Sequence, residues 1–161
     1  MKRIFIFRKA HAAVILLCCL MAFSSAMAQQ MPRRNVLRET NNEFFKTEEA
    51  RRIGNQVLAF QRCTGGWPKN IDMTQKMSNE ELAQILKEKS RRDDSTIDNN
   101  ATTMQMIYLA RLYRQTKDVR YRDAFRLAVE YLLSGQYENG GWPQFWPEMR
   151  GYQVHITFND D

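Results

Sequence analysis

A sequence motif that occurs twice, 75 residues apart, constrains the fold of this chain more than any other feature. Each copy follows an amphipathic segment of helical period, and the shared residues are Gln61, Gly65, Gly66, Trp67 and Pro68 in the first copy and Gln136, Gly140, Gly141, Trp142 and Pro143 in the second. A repeat at fixed spacing is typical of architectures in which neighbouring units bury one another's apolar faces. We therefore expect an all-α fold, either stacked or an incomplete α/α toroid, whose long loops carry the Gly-Gly-Trp-Pro motifs.

Apolar residues at helical spacing predict four helices, separated by loops that hold the two motifs. The predicted helices cover residues 42–61, 78–89, a span that starts between 96 and 100 and ends near 116, and 118–135. Asn42 is the predicted N-cap of the first helix, and Ser78 with Glu81 predicts a capping box for the second. The segment 159–161, Asn-Asp-Asp, resembles a further helix start with no helix after it, so we expect the chain to be truncated.

The first 28 residues have the pattern of a secretory signal peptide. A basic segment, 1–9, precedes a mostly apolar run, 10–23, and small residues at Ala26 and Ala28 give an A-x-A cleavage site. As a helix, that run spans about 21 Å, which is short of the ~30 Å hydrocarbon core of a bilayer. We therefore expect a signal peptide over 1–28, no stable membrane anchor, and a secreted or periplasmic protein.

The predicted mature chain consists of a polar, disordered lead-in over 29–41 and a partial α/α-toroid domain over 42–161. Four of the basic residues behind the net charge of +6 lie in the leader, which leaves 20 basic against 18 acidic residues. So small an excess argues against a nucleic-acid partner. One cysteine, Cys63, and one histidine, His155, remain. They cannot form an internal disulfide and do not suffice for a zinc site, so any metal is expected to be bound by oxygen.

The segment 96–103 concentrates hydroxyls, amides and one carboxylate, Asp98, at the predicted start of a buried helix. One interpretation is capping, in which Thr96 or Asp98 accepts hydrogen bonds from the free N–H groups of the first turn. The other is an oxygen-rich site for a hard cation or a sugar. If the helix start at Asp160 lies at the same end of an inner ring, several oxygens meet there, as Ca²⁺ requires.

Aromatic residues in the two motif loops also have two interpretations. Flat rings stack on the apolar faces of sugars, so Trp67, Trp142, Phe145 and Trp146 could form a sugar-binding surface. Alternatively, the tryptophans of the two motifs fill the end of the helical bundle, since large rings contribute mainly through burial. We assign Trp142 to the candidate substrate-binding residues.

Four motifs, taken in order, resemble the N-terminal half of polysaccharide lyase family 10, the α/α-toroid pectate lyases. They are the segments 65–70, 96–102, 140–144 and 155–161, and the resemblance covers roughly residues 42–161. It implies a pectate lyase that cleaves polygalacturonate by Ca²⁺-assisted β-elimination, and we expect it to act as a monomer. By resemblance, Asp98, Asn99 and Asp160 bind calcium and substrate.

The implied reaction removes a proton from carbon 5, next to a uronate carboxylate. Binding of that carboxylate to Ca²⁺ stabilises the enolate-like charge that develops. In the family the base is an arginine that follows the Phe-Asn-Asp-Asp motif, so we expect this chain alone to lack the base and to be inactive. The sequence departs from the family at Asn100, where glycine is usual, and at Cys63 in the first loop.

Two other functions fit the residues. A non-catalytic fragment could bind acidic polysaccharide through its aromatic rings and Ca²⁺-binding oxygens. An α/α-toroid glycoside hydrolase would need two carboxylates flanking the glycosidic bond, for which Asp98 and Asp160 are the candidates.

Overall fold

The computed structural model describes residues 35–149 and 151–156, so the predicted signal peptide and Asp160 lie outside the described residues. Four α-helices are present in this part of the chain: α1 at Glu48–Phe60, α2 at Asn79–Lys87, α3 at Thr103–Thr116 and α4 at Val119–Gly135. Short 3₁₀ helices occur at Val36–Arg38, Phe44–Lys46, Glu88–Ser90, Asp98–Asn100 and Gly151–Val154. Extended pairing in the described residues is limited to isolated bridges, which confirms the all-α prediction. No helix of these residues is both long and apolar enough to cross a membrane.

The helices begin where side chains satisfy the free N–H groups of the first turn. In α1 the cap is Thr47, whose hydroxyl accepts from Ala50 N at 3.2 Å, so the predicted start at Asn42 is too early. A separate 3₁₀ turn occupies residues 44–46 instead. The capping box predicted for α2 is confirmed, with Ser78 and Glu81 bonded reciprocally. Each device leaves fewer unpaired backbone donors at the helix start.

Helices α3 and α4 form the most extensive helix pair, and α1 packs against both. Their shared core contains large side chains with almost no exposure, namely Phe45, Ile53, Val57, Trp67, Tyr108, Leu109, Leu112 and Tyr121. Tyr108 also donates its hydroxyl to Ala50 O at 3.0 Å, so its buried polar atom is paired. Burial of this set supplies the main stabilisation of the helical layer.

The predicted disordered lead-in is wrong for its described part, residues 35–41. Asn35 caps a 3₁₀ turn, and Leu37 is 5% exposed within the hydrophobic core. Arg111 in α3 donates to Glu39 O at 2.6 Å. The polar composition of the segment predicted disorder, but Leu37 attaches it to the core and the Glu39 carbonyl attaches it to α3.

The sequence repeat is also a structural repeat. Helices α1 and α4 end at the equivalent residues Phe60 and Gly135. After each helix a glutamine side chain donates to the first motif glycine: Gln61 Nε2 to Gly65 O at 2.9 Å, and Gln136 Nε2 to Gly140 O at 3.1 Å. The same motif side chains thus build the same turn twice.

The motif tryptophans repeat one contact as well. Each indole N–H donates to the carbonyl ten residues earlier, Trp67 to Val57 at 2.8 Å and Trp142 to Leu132 at 2.7 Å. Since each acceptor lies in the preceding helix, the ring fixes the loop to the helix from which the loop leaves.

Candidate functional site

The two motif loops meet on either side of Thr96. Thr96 forms an antiparallel bridge with Trp67 in the first loop and another with Phe145 in the second. Its N–H donates to Trp67 O at 3.1 Å, and its hydroxyl donates to Gln144 O at 2.5 Å. These two bridges bring both loops beside the next residues of the chain, 97–100.

Asp98 is the residue on which the two loops converge. Lys69 Nζ contacts Asp98 Oδ2, and Gln144 Nε2 donates to the same oxygen at 2.7 Å. Lys69 and Gln144 occupy equivalent positions, each directly after the proline of a Gly-Gly-Trp-Pro motif. The repeat therefore delivers one cation and one amide donor to a single carboxylate.

The charge on Asp98 is held in place by its surroundings. Burial, the largest influence, acts to raise the pKa of this carboxyl, but Lys69, Gln144 and the Asn99 N–H together outweigh it. The pKa of Asp98 is therefore below its usual value, and the group is ionised at neutral pH. A buried carboxylate that stays ionised suits a site that binds a cation or accepts hydrogen bonds from a ligand.

The predicted helix start at 96–100 is wrong, and with it the capping interpretation of Asp98. Helix α3 begins only at Thr103, and Asp98–Asn100 is a separate 3₁₀ turn. Positive φ angles at Asn99 (52°) and Asn100 (57°), and at Thr102 (65°), interrupt any helical path. The carboxylate of Asp98 consequently faces the motif loops instead of the N–H groups of α3.

The left-handed conformation at residue 100 accounts for the asparagine there. Asn100 has φ 57°, a region that glycine enters freely and that asparagine tolerates better than most residues. Asparagine therefore meets here a backbone requirement that glycine would also meet. Asn99 Nδ2 donates to Asn70 Oδ1 at 3.0 Å, and Asn70 also has a positive φ of 62°.

Thr102 holds this strained segment to the rest of the site. Its fully buried hydroxyl donates to Thr96 O at 2.8 Å and accepts from Trp67 N at 2.9 Å. A β-branched residue at positive φ is a conformational outlier, which persists only where surrounding contacts enforce it. Strain of this kind concentrates at functional sites in proteins.

The first loop is secured from the other side by a buried arginine. The Arg62 side chain is 1% exposed, and its Nη2 lies 2.7 Å from Asp94 Oδ2 and 3.1 Å from Glu88 Oε2. Thr64 and Ser95 share a 2.5 Å hydroxyl contact nearby. The segment before Thr96 is therefore tied to the first motif loop by charge and by hydrogen bonds.

The aromatic residues divide between the two interpretations. Trp67 is fully buried and fills the core, and Trp146, 3% exposed, stacks on Tyr131 with ring centroids 3.9 Å apart. Trp142 and Phe145 are half-buried and keep part of each ring accessible. Phe145 lies beside Lys69, which contacts Asp98, since Lys69 Nζ is 5.2 Å from the Phe145 ring centroid. Accessible rings for a sugar are thus limited, within the described site, to the second loop.

Among the residues predicted from sequence, Asp98 and Asn99 lie together, and Asp160 is outside the described residues. Trp142 bonds to α4 through its indole N–H and belongs to the adjoining loop. Lys69, Gln144 and Phe145 were not assigned to the Asp98 site from the sequence. The signal for two of them was available, because Lys69 and Gln144 share the position after the repeated proline.

The donor chemistry around Asp98 fits a hard cation. The Asp98 carboxylate and the Asn99 amide offer oxygen atoms. A further oxygen, Gln144 Oε1, is buried and has no hydrogen-bond partner among the described residues. Carboxylate and amide oxygens are the ligands that Ca²⁺ prefers. The described part of the chain nevertheless holds no cluster of three or more acidic, histidine or cysteine residues that could bind a metal. Asp98 would need further oxygens to complete a site.

Comparison with known proteins identifies the family. A family model described as pectic acid lyase matches residues 61–161, which include both motif loops and the Asp98 segment. The chain belongs to the pectic acid lyase family. No curated protein matches it by sequence.

Solved structures of pectic acid lyase relatives resemble the chain in both fold and sequence. A family 10 polysaccharide lyase from Cellvibrio cellulosa is 37% identical, with a TM-score of 0.58 over 72% of this chain and 32% of that chain. A mutant family 10 lyase from the same organism, in complex with trigalacturonic acid, is 31% identical, with a TM-score of 0.58 over 77% of this chain and 39% of that one. The helices therefore form part of an α/α toroid, as predicted. The chain spans less than two fifths of the length of these lyases.

Proposed function

We propose that this protein takes part in the Ca²⁺-assisted β-elimination of polygalacturonate, and that this chain supplies the Asp98 part of the site. The observation that carries the proposal is the convergence of both family motifs on one ionised carboxylate. The Cellvibrio relative in complex with trigalacturonic acid supports an acidic galacturonide as the substrate class.

In this proposal the residues that would hold calcium are Asp98, Asn99 and Asp160. When bound, Ca²⁺ would neutralise the uronate carboxylate and so acidify the proton on carbon 5. Asp98 contributes a fixed negative charge, and Lys69 a positive charge that attracts a uronate. Phe145 and Trp142 offer half-buried ring faces against which a sugar can stack.

No base is assigned among the described residues. By resemblance it is an arginine that follows the Phe-Asn-Asp-Asp segment at 158–161. Arginine is normally protonated, so a neutral arginine base favours alkaline conditions and a site rich in positive charge.

We further propose export from the cytoplasm, supported by the signal-peptide pattern of residues 1–28. Sequencing the N-terminus of the exported protein tests this directly. A mature chain that starts at Gln29 is the expected result, and recovery of the intact Met1 terminus from the cytoplasm alone would refute export.

Affinity electrophoresis through gels containing polygalacturonate tests the site. We expect Ca²⁺-dependent retardation that a chelator removes and that Asp98→Asn abolishes. Asp123→Asn is the matched control, because Asp123 is exposed on α4 and pairs only locally with Arg122. Retardation of the same size in Asp98→Asn and the wild type would refute the assignment of Asp98.

A second candidate function is non-catalytic binding of acidic polysaccharide. It is favoured by the half-buried Phe145, whose ring lies 5.2 Å from Lys69 Nζ, beside the ionised Asp98. Retardation without ultraviolet-absorbing unsaturated product supports a binder, whereas release of that product by the chain itself shows that the base lies among its own residues. New reducing ends without unsaturation would instead indicate a hydrolase.

A further inference from the structure

Lys69 neutralises Asp98 from a partly exposed position, and its flexible side chain can move away from the carboxylate. Its ammonium group contacts Asp98 Oδ2, and the lysine side chain is 28% exposed while that of Asp98 is 5% exposed. Lysine carries its charge on a flexible four-carbon stem and makes no bidentate pair with a carboxylate. The carboxylate is therefore fixed in the protein, and its cation is partly in water.

A divalent cation and the lysine ammonium would compete for Asp98. Calcium binds a carboxylate oxygen at about 2.3–2.6 Å, and Lys69 is already hydrogen-bonded to Oδ2. Two positive charges on one carboxylate repel each other strongly at so short a distance, especially where burial limits screening. This repulsion favours withdrawal of one of the two cations.

The surroundings favour withdrawal of Lys69. The ring of Phe145 lies 5.2 Å from Nζ, within the range of a cation–π contact, so the ammonium has a second favourable contact away from the carboxylate. Rotation of the Gln144 amide would exchange its Nε2 donor for Oε1, the buried oxygen that has no partner among the described residues. Lys69 can thus withdraw from the Asp98 carboxylate when a metal binds, and Gln144 can supply an oxygen ligand to that metal.

We propose that Lys69 is a resident cation that Ca²⁺ displaces from Asp98, and that Lys69 thereby sets the affinity of the site for calcium. The inference rests on the proposed calcium site at Asp98. Without metal, Lys69 keeps a buried carboxylate neutralised, which preserves the contact between the two motif loops. With metal, the ammonium is released next to Phe145.

Calorimetric titration with Ca²⁺ measures the first consequence. Lys69→Met removes the competing charge and is expected to bind Ca²⁺ about tenfold more tightly than the wild type, or better. Lys69→Arg keeps the charge and adds a bidentate grip on the carboxylate, so it is expected to bind Ca²⁺ more weakly. Lys117→Met is the matched control, since Lys117 also lies over a ring, Tyr113 at 5.8 Å, and is expected to leave the affinity unchanged.

Lysine footprinting of the wild type measures the second consequence without any substitution. Reductive methylation followed by peptide mass spectrometry reports how readily each lysine reacts. We expect Lys69 to react slowly without metal and several times faster with saturating Ca²⁺, because its ammonium leaves Asp98. Lys117 should react equally in both conditions.

The outcomes separate the exchange, which is the displacement of Lys69 from Asp98 by Ca²⁺, from the proposed function on which it rests. Calcium binding with unchanged Lys69 reactivity overturns the exchange and leaves the cation site standing. Equal Ca²⁺ affinity in Lys69→Met and the wild type overturns it as well. If Ca²⁺ binds to neither protein, the exchange is refuted, while Asp98-dependent retardation in polygalacturonate gels still decides the proposed substrate.

Discussion

Thr102 offers a direct test of how the candidate site is held together. Its hydroxyl joins Trp67 N in the first loop to Thr96 O in the segment before Asp98. Thr102→Val keeps the shape and the β-branch but removes the hydroxyl. A buried N–H and a buried carbonyl then both lose this partner, and each such loss costs about 1–3 kcal/mol. We expect the free energy of unfolding to fall by roughly 2–6 kcal/mol.

Thr102→Ser is the matched control for this change. It keeps both hydrogen bonds and removes one buried methyl group, a loss worth about 1 kcal/mol. Removing the β-branch also eases the strain of a φ of 65°, which offsets part of that loss. The serine variant should therefore remain within about 1 kcal/mol of the wild type.

Urea unfolding followed by tryptophan fluorescence measures both variants, because Trp67 is buried and its backbone N–H donates to the Thr102 hydroxyl. If the valine and serine variants unfold at the same urea concentration, the two hydrogen bonds do not secure the loops and the reasoning fails. Polygalacturonate retardation gives a second readout, since loosening Thr96 should also displace Asp98 and weaken retention in the valine variant alone.

Three further predictions concern charge and backbone conformation. Because the pKa of Asp98 is lowered in the folded chain, its contribution to stability is present above the ordinary Asp pKa of about 3.9 and is lost as pH falls through the lowered value. Urea titrations at pH 7 and pH 2 should therefore show a wild-type advantage over Asp98→Asn that shrinks at pH 2, and an advantage independent of pH would contradict the lowered pKa. Gly65→Ala should destabilise the chain far more than Gly140→Ala in thermal melts: both have φ near +90°, but a Cβ at Gly65 overlaps Leu127 O, whereas Gly140 has open space. Equal melting temperatures would exclude that clash. At Asn100, alanine should cost about 1 kcal/mol relative to glycine because φ is 57°, and a more stable alanine variant in the same melts would show that the left-handed conformation is not required.

The motif loops could be predicted because local sequence decides them. Gln61 and Gln136 each donate to a glycine four residues further along the chain, and the indole of each motif tryptophan reaches the preceding helix. Contacts of this range depend on residues that the motif itself contains. A repeated motif therefore predicts a repeated turn, and two such turns beside two helices predict the toroidal class.

The role of Asp98 was harder to predict because two local outcomes compete. An aspartate at a helix start normally caps it, and the positive φ angles at Asn99, Asn100 and Thr102 exclude that outcome here. Those angles are imposed by tertiary contacts, among them the bonds from Thr102 to Trp67 and Thr96. The capping pattern alone favours a helix start at this segment, so the correct answer needed the tertiary contacts.

Lys69 and Gln144 show what the repeat adds beyond the fold. They occupy the same position in two copies of one motif, yet one is a cation and the other a neutral amide. Two lysines would place two positive charges on a single oxygen of Asp98, and two glutamines would leave a buried carboxylate without a counter-ion. The difference between the copies therefore follows from their convergence: symmetry brings the two loops to one carboxylate, and electrostatics requires that the two residues that meet there differ.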